Sequence, residues 1–166
     1  MAGNLTIRLA EAADAETIHA ALLAMARAMG AEGKMVSTPE NIRSHGFGEN
    51  PAFEVLVAEI DGAFAGLCLS FQSFSTWRGE PGIYVQDLYV DETFRGRGLG
   101  ERLLQAAARR GKARGAGYLR LSVDVTNPKA QAFYQRLGIL HSSDEQIRMI
   151  KGNAFDALAA SGAYTP

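Results

Sequence analysis

The stretch Arg95-Gly96-Arg97-Gly98-Leu99-Gly100 separates two runs of opposite character. Upstream, Ile83-Tyr84-Val85-Gln86-Asp87-Leu88-Tyr89-Val90 has the composition of a strand. Downstream, Leu99, Leu103, Ala106 and Ala107 recur at helical spacing, and the glycines from Gly111 to Gly117 end that helix. A strand that feeds a helix through a glycine-rich turn brings bare backbone N–H groups and the positive end of the helix dipole to one point, where an anion can sit. Glycine lets a phosphate approach closely, and Arg95 or Arg97 can add charge at the rim. The same residues also suit a tight connection with solvated arginines, so both readings stand on these residues alone. Two other phosphate-binding patterns fit poorly. The dinucleotide fingerprint needs its third glycine one residue later and its strand at the start of a βαβ unit, and the phosphate-loop pattern needs Ser or Thr after Gly-Lys, where Gly111-Lys112 is followed by Ala113.

Working outward, Leu5 to Leu9 alternates as a strand, and Ile18, Leu22, Met25 and Met29 then recur as a helical stripe behind Asp14, an N-cap candidate. Thr38-Pro39-Glu40-Asn41 reads as the cap and first turn of a second helix ending near His45-Gly46. Phe53 to Ile60 and Ala63 to Phe74, joined by Asp61-Gly62, form a hairpin pattern. The segment Trp77 to Gly82 reads as a loop before the fourth strand. Apolar residues alternate strictly from Leu119 to Val125, giving a fifth strand. Asn127-Pro128 then opens a helix carrying Ala130, Phe133, Tyr134 and Leu137 on one stripe, with Gly138 as its stop. Ile147 to Lys151 is predicted as a last strand and Ala154 to Ala160 as a short helix. The order implies an α/β chain with a mixed sheet and helices on both faces.

The length of 166 residues suits one domain spanning the chain, and no linker or repeat divides it. The apolar share of 47% is that of an ordinary globular protein, and no run reaches the roughly 18 apolar residues of a membrane span. With no secretory pattern at its start, the chain is expected to be soluble and cytoplasmic. A net charge of −1 gives no reason to expect nucleic acid or a membrane as partner. Cys68 stands alone in Gly66-Leu67-Cys68-Leu69 and reads as a small core residue. His19, His45 and His141 are scattered without ligand spacing, so no metal is expected.

Leu88-Tyr89-Val90-Asp91 followed by the glycine turn resembles the R-x-x-G-x-G/A pyrophosphate motif of the GNAT superfamily of N-acetyltransferases. Asn127-Pro128 and Ala132-Phe133-Tyr134-Gln135-Arg136-Leu137-Gly138 resemble that family's second signature, and the element order is the family's. Within the family, His45 to Pro51, Leu56-Val57-Ala58-Glu59, Gln86 to Val90 and Ser142-Ser143-Asp144-Glu145 look most like the diamine (spermidine/spermine) N-acetyltransferase branch. The resemblance implies a mostly antiparallel sheet of six to seven strands, splayed between the fourth and fifth. It also implies acetyl-CoA as co-substrate, a small-molecule amine as acceptor, and a homodimer. The backbone of Leu88, Tyr89 and Val90 would pair with the pantetheine arm. The turn from Arg95 through Gly96, Arg97, Gly98, Leu99, Gly100 and Glu101 would hold the pyrophosphate, and Asn127, Lys129 and Ala130 would line the far side. Asn127 also has a purely structural reading as a helix cap.

Acetyl transfer from a thioester to an amine needs a neutral amine and a proton for the departing thiolate. Tyr134 matches the family's general acid toward the CoA sulfur, with a core aromatic as the alternative. The base is open. The diamine branch carries Glu before the Asp of the fourth strand, and here that position is Gln86, which cannot ionise. Asp87, expected on the opposite face from Gln86, Glu145 and a water chain remain. Trp77 and Glu80 are candidates to line an amine pocket, by cation–π and ion-pair contacts. Arg27-Ala28-Met29 stands where diamine acetylases tend to carry an acidic residue, so with Gln86 a smaller or less cationic amine is expected in place of a long polyamine. A non-catalytic acyl-CoA sensor and an enzyme acting on a protein or peptide amine are the other function classes.

Overall fold

Glycines and prolines divide the chain into ten regular elements in a computed structural model that describes residues 3–160. In order they are β1 (Leu5–Leu9), α1 (Ala15–Ala28), α2 (Pro39–Gly46), β2 (Glu54–Ile60), β3 (Ala63–Ser75), β4 (Glu80–Val90), α3 (Leu99–Ala113), β5 (Tyr118–Leu121), α4 (Pro128–Arg136) and α5 (Asn153–Ala160). Three single 3-10 turns, at Ala12–Asp14, Glu32–Lys34 and Glu92–Phe94, fill short connections.

The five strands form one sheet in the order β1-β2-β3-β4-β5. Every neighbouring pair is antiparallel except β4 with β5, which is parallel because α3 crosses between them. The β2–β3 turn has positive φ at both central residues, Asp61 at 52° and Gly62 at 79°, the geometry that matches the twist of paired strands. Alternation along the strands then loads both faces. Val55, Val57, Leu67, Leu69 and Tyr89 meet Ile18 and Leu22 of α1 and Ile42 of α2 on one side. Leu56, Ala58, Cys68 and Val85 meet Leu99, Leu103, Leu104 and Ala107 of α3 on the other. At roughly 25 cal/mol per Å² of apolar area removed from water, these two layers are the main stabilising term.

Several expectations need correction. The sheet has five strands, and Ile147–Lys151 forms no strand among the described residues; this segment is exposed coil with Ile147 and Met149 in solvent. The fifth strand stops at Leu121, since beyond it the chain turns away from β4. The β3–β4 hairpin is longer than expected, with Ser75 opposite Glu80 and Phe74 opposite Pro81, so part of the presumed loop is paired. Asp14 occupies the N-cap position of α1 but makes no cap bond; its carboxylate accepts from the Arg8 guanidinium at 2.8 and 2.9 Å and from the Glu11 N–H at 2.7 Å. Among the described residues no helix is long and apolar enough to cross a membrane.

Candidate active site

Two departures from regular pairing open the sheet beside β4. Leu69 lies opposite Asp87 and Ser70 opposite Val85, so Gln86 has no partner and marks a β-bulge. The β4–β5 ladder ends at Val85 opposite Leu121, leaving one edge of Gln86 to Val90 free while β3 holds the other. A side-chain turn diverts the chain after β5. The Asp124 carboxylate accepts from the Thr126 N–H and hydroxyl, each at 2.7 Å, and Asn127 Oδ1 accepts from the Ala130 N–H at 3.0 Å to cap α4. Gln131 fastens this turn from the helix, donating to the Val125 carbonyl at 2.9 Å. The result is a mouth between β4 and β5 flanked by α3 and α4.

Asp87 and Tyr134 flank this mouth, with Cys68 in the sheet nearby. Asp87 is half-buried, and among the described residues no donor reaches its carboxylate; burial pushes its pKa up to about 6. Its register partner Leu69 belongs to the α1/α2 face, and Tyr134 packs with the α3 face, its ring edge-on to Phe133 at 5.2 Å. Burial also raises the Tyr134 hydroxyl above the usual phenol range, so it stays protonated at neutral pH. Cys68 is fully buried, and burial, then the Asp87 charge, push its thiol up to about 12, which keeps it from serving as a nucleophile.

The turn below the mouth is shaped by glycine. Gly96 at φ 76° and Gly98 at φ 72° adopt the left-handed conformation, and a Cβ at either would meet nothing within 4 Å, so the space in front of their backbone is open. Gly98 caps α3 without a side chain, leaving the first-turn N–H groups facing outward. A Cβ on Gly100 would come to 3.5 Å from Phe133, 3.7 Å from Val90 and 3.9 Å from Leu88, so this glycine lies against the groove between α3, α4 and β4. Arg95 is tied back, its Nε donating to the Val90 carbonyl at 3.0 Å and Nη1 to Glu92 at 3.2 Å. Arg97 lies over the Phe94 ring at 5.6 Å and is otherwise free to meet an anion.

The remaining candidates are distributed elsewhere. Glu145 is held in an exposed ion pair with Arg120 of β5 at 2.8 Å. Trp77 is 99% exposed at the tip of the β3–β4 hairpin, and Glu80 packs against Gly117 at the start of β4. Seven residues of strand, about 23 Å, separate Glu80 from Asp87, so the structure does not bring Trp77 and Glu80 to the mouth. Lys129 is exposed and Ala130 half-buried in the first turn of α4. One contact at the mouth escaped sequence reasoning: the Tyr84 and Ser122 hydroxyls meet at 2.7 Å across the last rungs of the β4–β5 ladder. No spacing rule pairs residues 38 apart. Among the described residues no group of three or more His, Cys, Asp or Glu is placed to hold a metal ion.

Comparison with known proteins places this geometry. The thialysine N-epsilon-acetyltransferase of Bos taurus is 37% identical over 107 residues, which cover 60% of this chain and 62% of that protein. The L-ornithine N5-acetyltransferase of Arabidopsis thaliana is 28% identical over 98 residues, 59% of this chain and 43% of the relative. The chain thus spans less than two thirds of the curated relatives it matches. Among solved structures, an integron cassette protein from the mobile metagenome of V. cholerae superposes with a TM-score of 0.80 at 21% identity, over 95% of this chain and 98% of that one. A possible acetyltransferase from Clostridium difficile 630 gives 0.76 at 20% identity, covering 90% and 99%. These likenesses show the fold. The sequence profile described as the Acetyltransferase (GNAT) family matches residues 24–139, most of the sheet together with α3 and α4, and the chain therefore belongs to the GNAT acetyltransferase family, near its diamine acetyltransferase branch.

Proposed function

We propose that the protein, as a single catalytic domain, moves an acetyl group from acetyl-CoA directly onto the primary amine of a small molecule within a ternary complex. The observation that carries this reading is the open strand edge from Gln86 to Val90, which leads down to the glycine turn and has the half-buried Asp87 carboxylate, without a donor, toward one face and the protonated Tyr134 phenol toward the other. Gly96 to Glu101 would present N–H groups to the pyrophosphate, and the free edge of Leu88 to Val90 would take the pantetheine as an added strand, with Asn127, Lys129 and Ala130 across the groove. Val90 offers one acceptor fewer than expected, because its carbonyl already accepts from Arg95.

Asp87 is ionised above about pH 6 and suited to take the proton of an approaching ammonium group. The neutral nitrogen then bonds to the acetyl carbon as the carbon–sulfur bond breaks; Tyr134 gives a proton to the departing thiolate, the proton shed by the new amide nitrogen returns through water to the Tyr134 phenolate, and Asp87 releases the ammonium proton to solvent. Held together in one mouth, the reactants gain effective concentration as well as proton transfer. Glu145, committed to Arg120 in solvent, is the weaker candidate for base. The relatives named for thialysine and L-ornithine support an amino-acid side-chain amine as acceptor. A second copy of the chain belongs to this reading; what supports it is the row of exposed apolar residues Leu140, Ile147, Met149 and Ile150 after α4.

The test follows CoA thiol release with a panel of amino-acid and monoamine acceptors. Release with at least one amine is expected, and Tyr134→Phe should lower kcat by about 10²-fold to 10⁴-fold with little change in acetyl-CoA affinity. Thermal stabilisation by acetyl-CoA with no thiol release from any amine would instead support a sensor, and a Phe variant within about threefold of the parent in single turnover would remove Tyr134 from the chemistry.

A further inference from the structure

The sheet face that carries Asp87 extends beyond the helices that cover it. Asp87 stands opposite Leu69 and Tyr84 opposite Phe71; Leu69 and Phe71 are two residues apart on β3, so Asp87 and Tyr84 share this face on either side of the bulge. Phe71 and Tyr84 lie outside the α1/α2 core, half-buried, with their rings stacked at 5.0 Å. On β5, Leu119 and Leu121 pack toward α3, which sends Arg120, the register partner of Tyr84, to the opposite side. The Tyr84 hydroxyl meets Ser122 beside it. Tyr118, under Arg78 and hydrogen-bonded to Ser73 at 3.2 Å, closes the far end. An aromatic shelf thus runs from the Asp87 carboxylate to the Arg120 guanidinium.

The two ends of the shelf fit a ligand with unlike charges. Among the described residues Arg120 is held by Glu145 alone, through one bond from Nη2, so most of its fork of donors is open. Both partners of that pair are exposed, Arg120 at 54% and Glu145 at 63%, and such a pair exchanges readily for a carboxylate that can meet the fork with both oxygens. Two residues along β3 and one strand across put the backbone of Arg120 about 8 Å from that of Asp87, a separation that an amino acid of lysine or ornithine length can bridge. We propose that an α-amino acid with a side-chain amine lies along this shelf, its amine at Asp87 and its α-carboxylate on Arg120 in place of Glu145. The inference rests on the acetyl transfer proposed above and adds to it the residue that selects the acceptor.

Thiol release from acetyl-CoA by the full chain is compared for L-lysine and L-ornithine and for their carboxamides, which keep both amines and lose the carboxylate. The parent should prefer the acids by about tenfold or more in kcat/KM, a preference that shrinks as salt is raised. Arg120→Ala should bring acid and amide within about twofold, with the loss for the acid falling in KM, and Arg120→Lys should keep part of the preference. Glu145→Ala, which frees the guanidinium, should lower KM for the acids. Because Arg120 and its partner are both exposed, Arg120→Ala should melt with the parent when no ligand is present. The assignment is overturned, with acetyl transfer left standing, by equal use of acid and amide in the parent, by a preference that survives in Arg120→Ala, by a KM that does not fall in Glu145→Ala, or by turnover of other amines only. Thiol release with no amine overturns both.

Discussion

Asp87 carries opposite consequences for turnover and for stability. Its pKa is pushed up to about 6 from 3.8 by burial alone, so between those values the folded chain holds a proton that the unfolded chain has released. The stability linked to this group is full below about pH 4 and is lost as pH rises through 6, leaving a buried charge that costs on the order of 1–3 kcal/mol at neutral pH. Asp87→Asn is therefore expected to raise the melting temperature at pH 7.5 and to leave it nearly unchanged at pH 4. The same variant should lower kcat by about 10²-fold or more, and the parent's kcat should climb as pH passes 6. A variant that melts lower at pH 7.5 would show that the carboxylate is satisfied by contacts outside this account. The sequence already singled out Asp87 and Tyr134 by their places in two motifs. What it could not show is that Asp87 is buried, because burial depends on the packing around β4, with Leu69 of β3 opposite Asp87, a long-range pairing with no local pattern.

The glycine turn was the most legible segment, since its need for left-handed φ is written in residue type. Gly98→Val forces a β-branched residue to φ 72°, a strain of about 1–2 kcal/mol, and points methyl groups into the open space in front of the N–H groups. The variant should melt a few degrees lower and show no further shift with acetyl-CoA; a preserved ligand shift would place the pyrophosphate elsewhere. The Asp61-Gly62 hairpin was equally plain, because two adjacent positive φ values favour that pair of residues. The end of β5 was less so. Leu119 to Val125 alternates without a break, yet pairing stops at Leu121, where the Asp124 turn takes over and hydrogen bonds from α4 hold the chain away from β4. Alternation records which face of a strand is apolar, and carries no information about where its neighbour leaves it.

Ile147 to Lys151 has strand composition without a strand partner among the described residues, and the whole stretch from Leu140 to Phe155 exposes Leu140, Ile147, Met149, Ile150 and Phe155. Among the described residues the sheet ends at β5, whose outer edge has no neighbouring strand. If a second copy covers these residues, the native state is a dimer, which size-exclusion with light scattering at micromolar concentration should show as twice the 17.8 kDa of the chain. A monomeric mass would remove the second copy from the proposal. A dimer formed through these residues would also make stability a matter of mass action. Unfolding would then be coupled to dissociation, so the melting temperature should climb with protein concentration, each tenfold dilution withdrawing about 1.4 kcal/mol per dimer. A freshly made chain at low copy number would carry five bare apolar side chains beside an open strand edge until it met its mate.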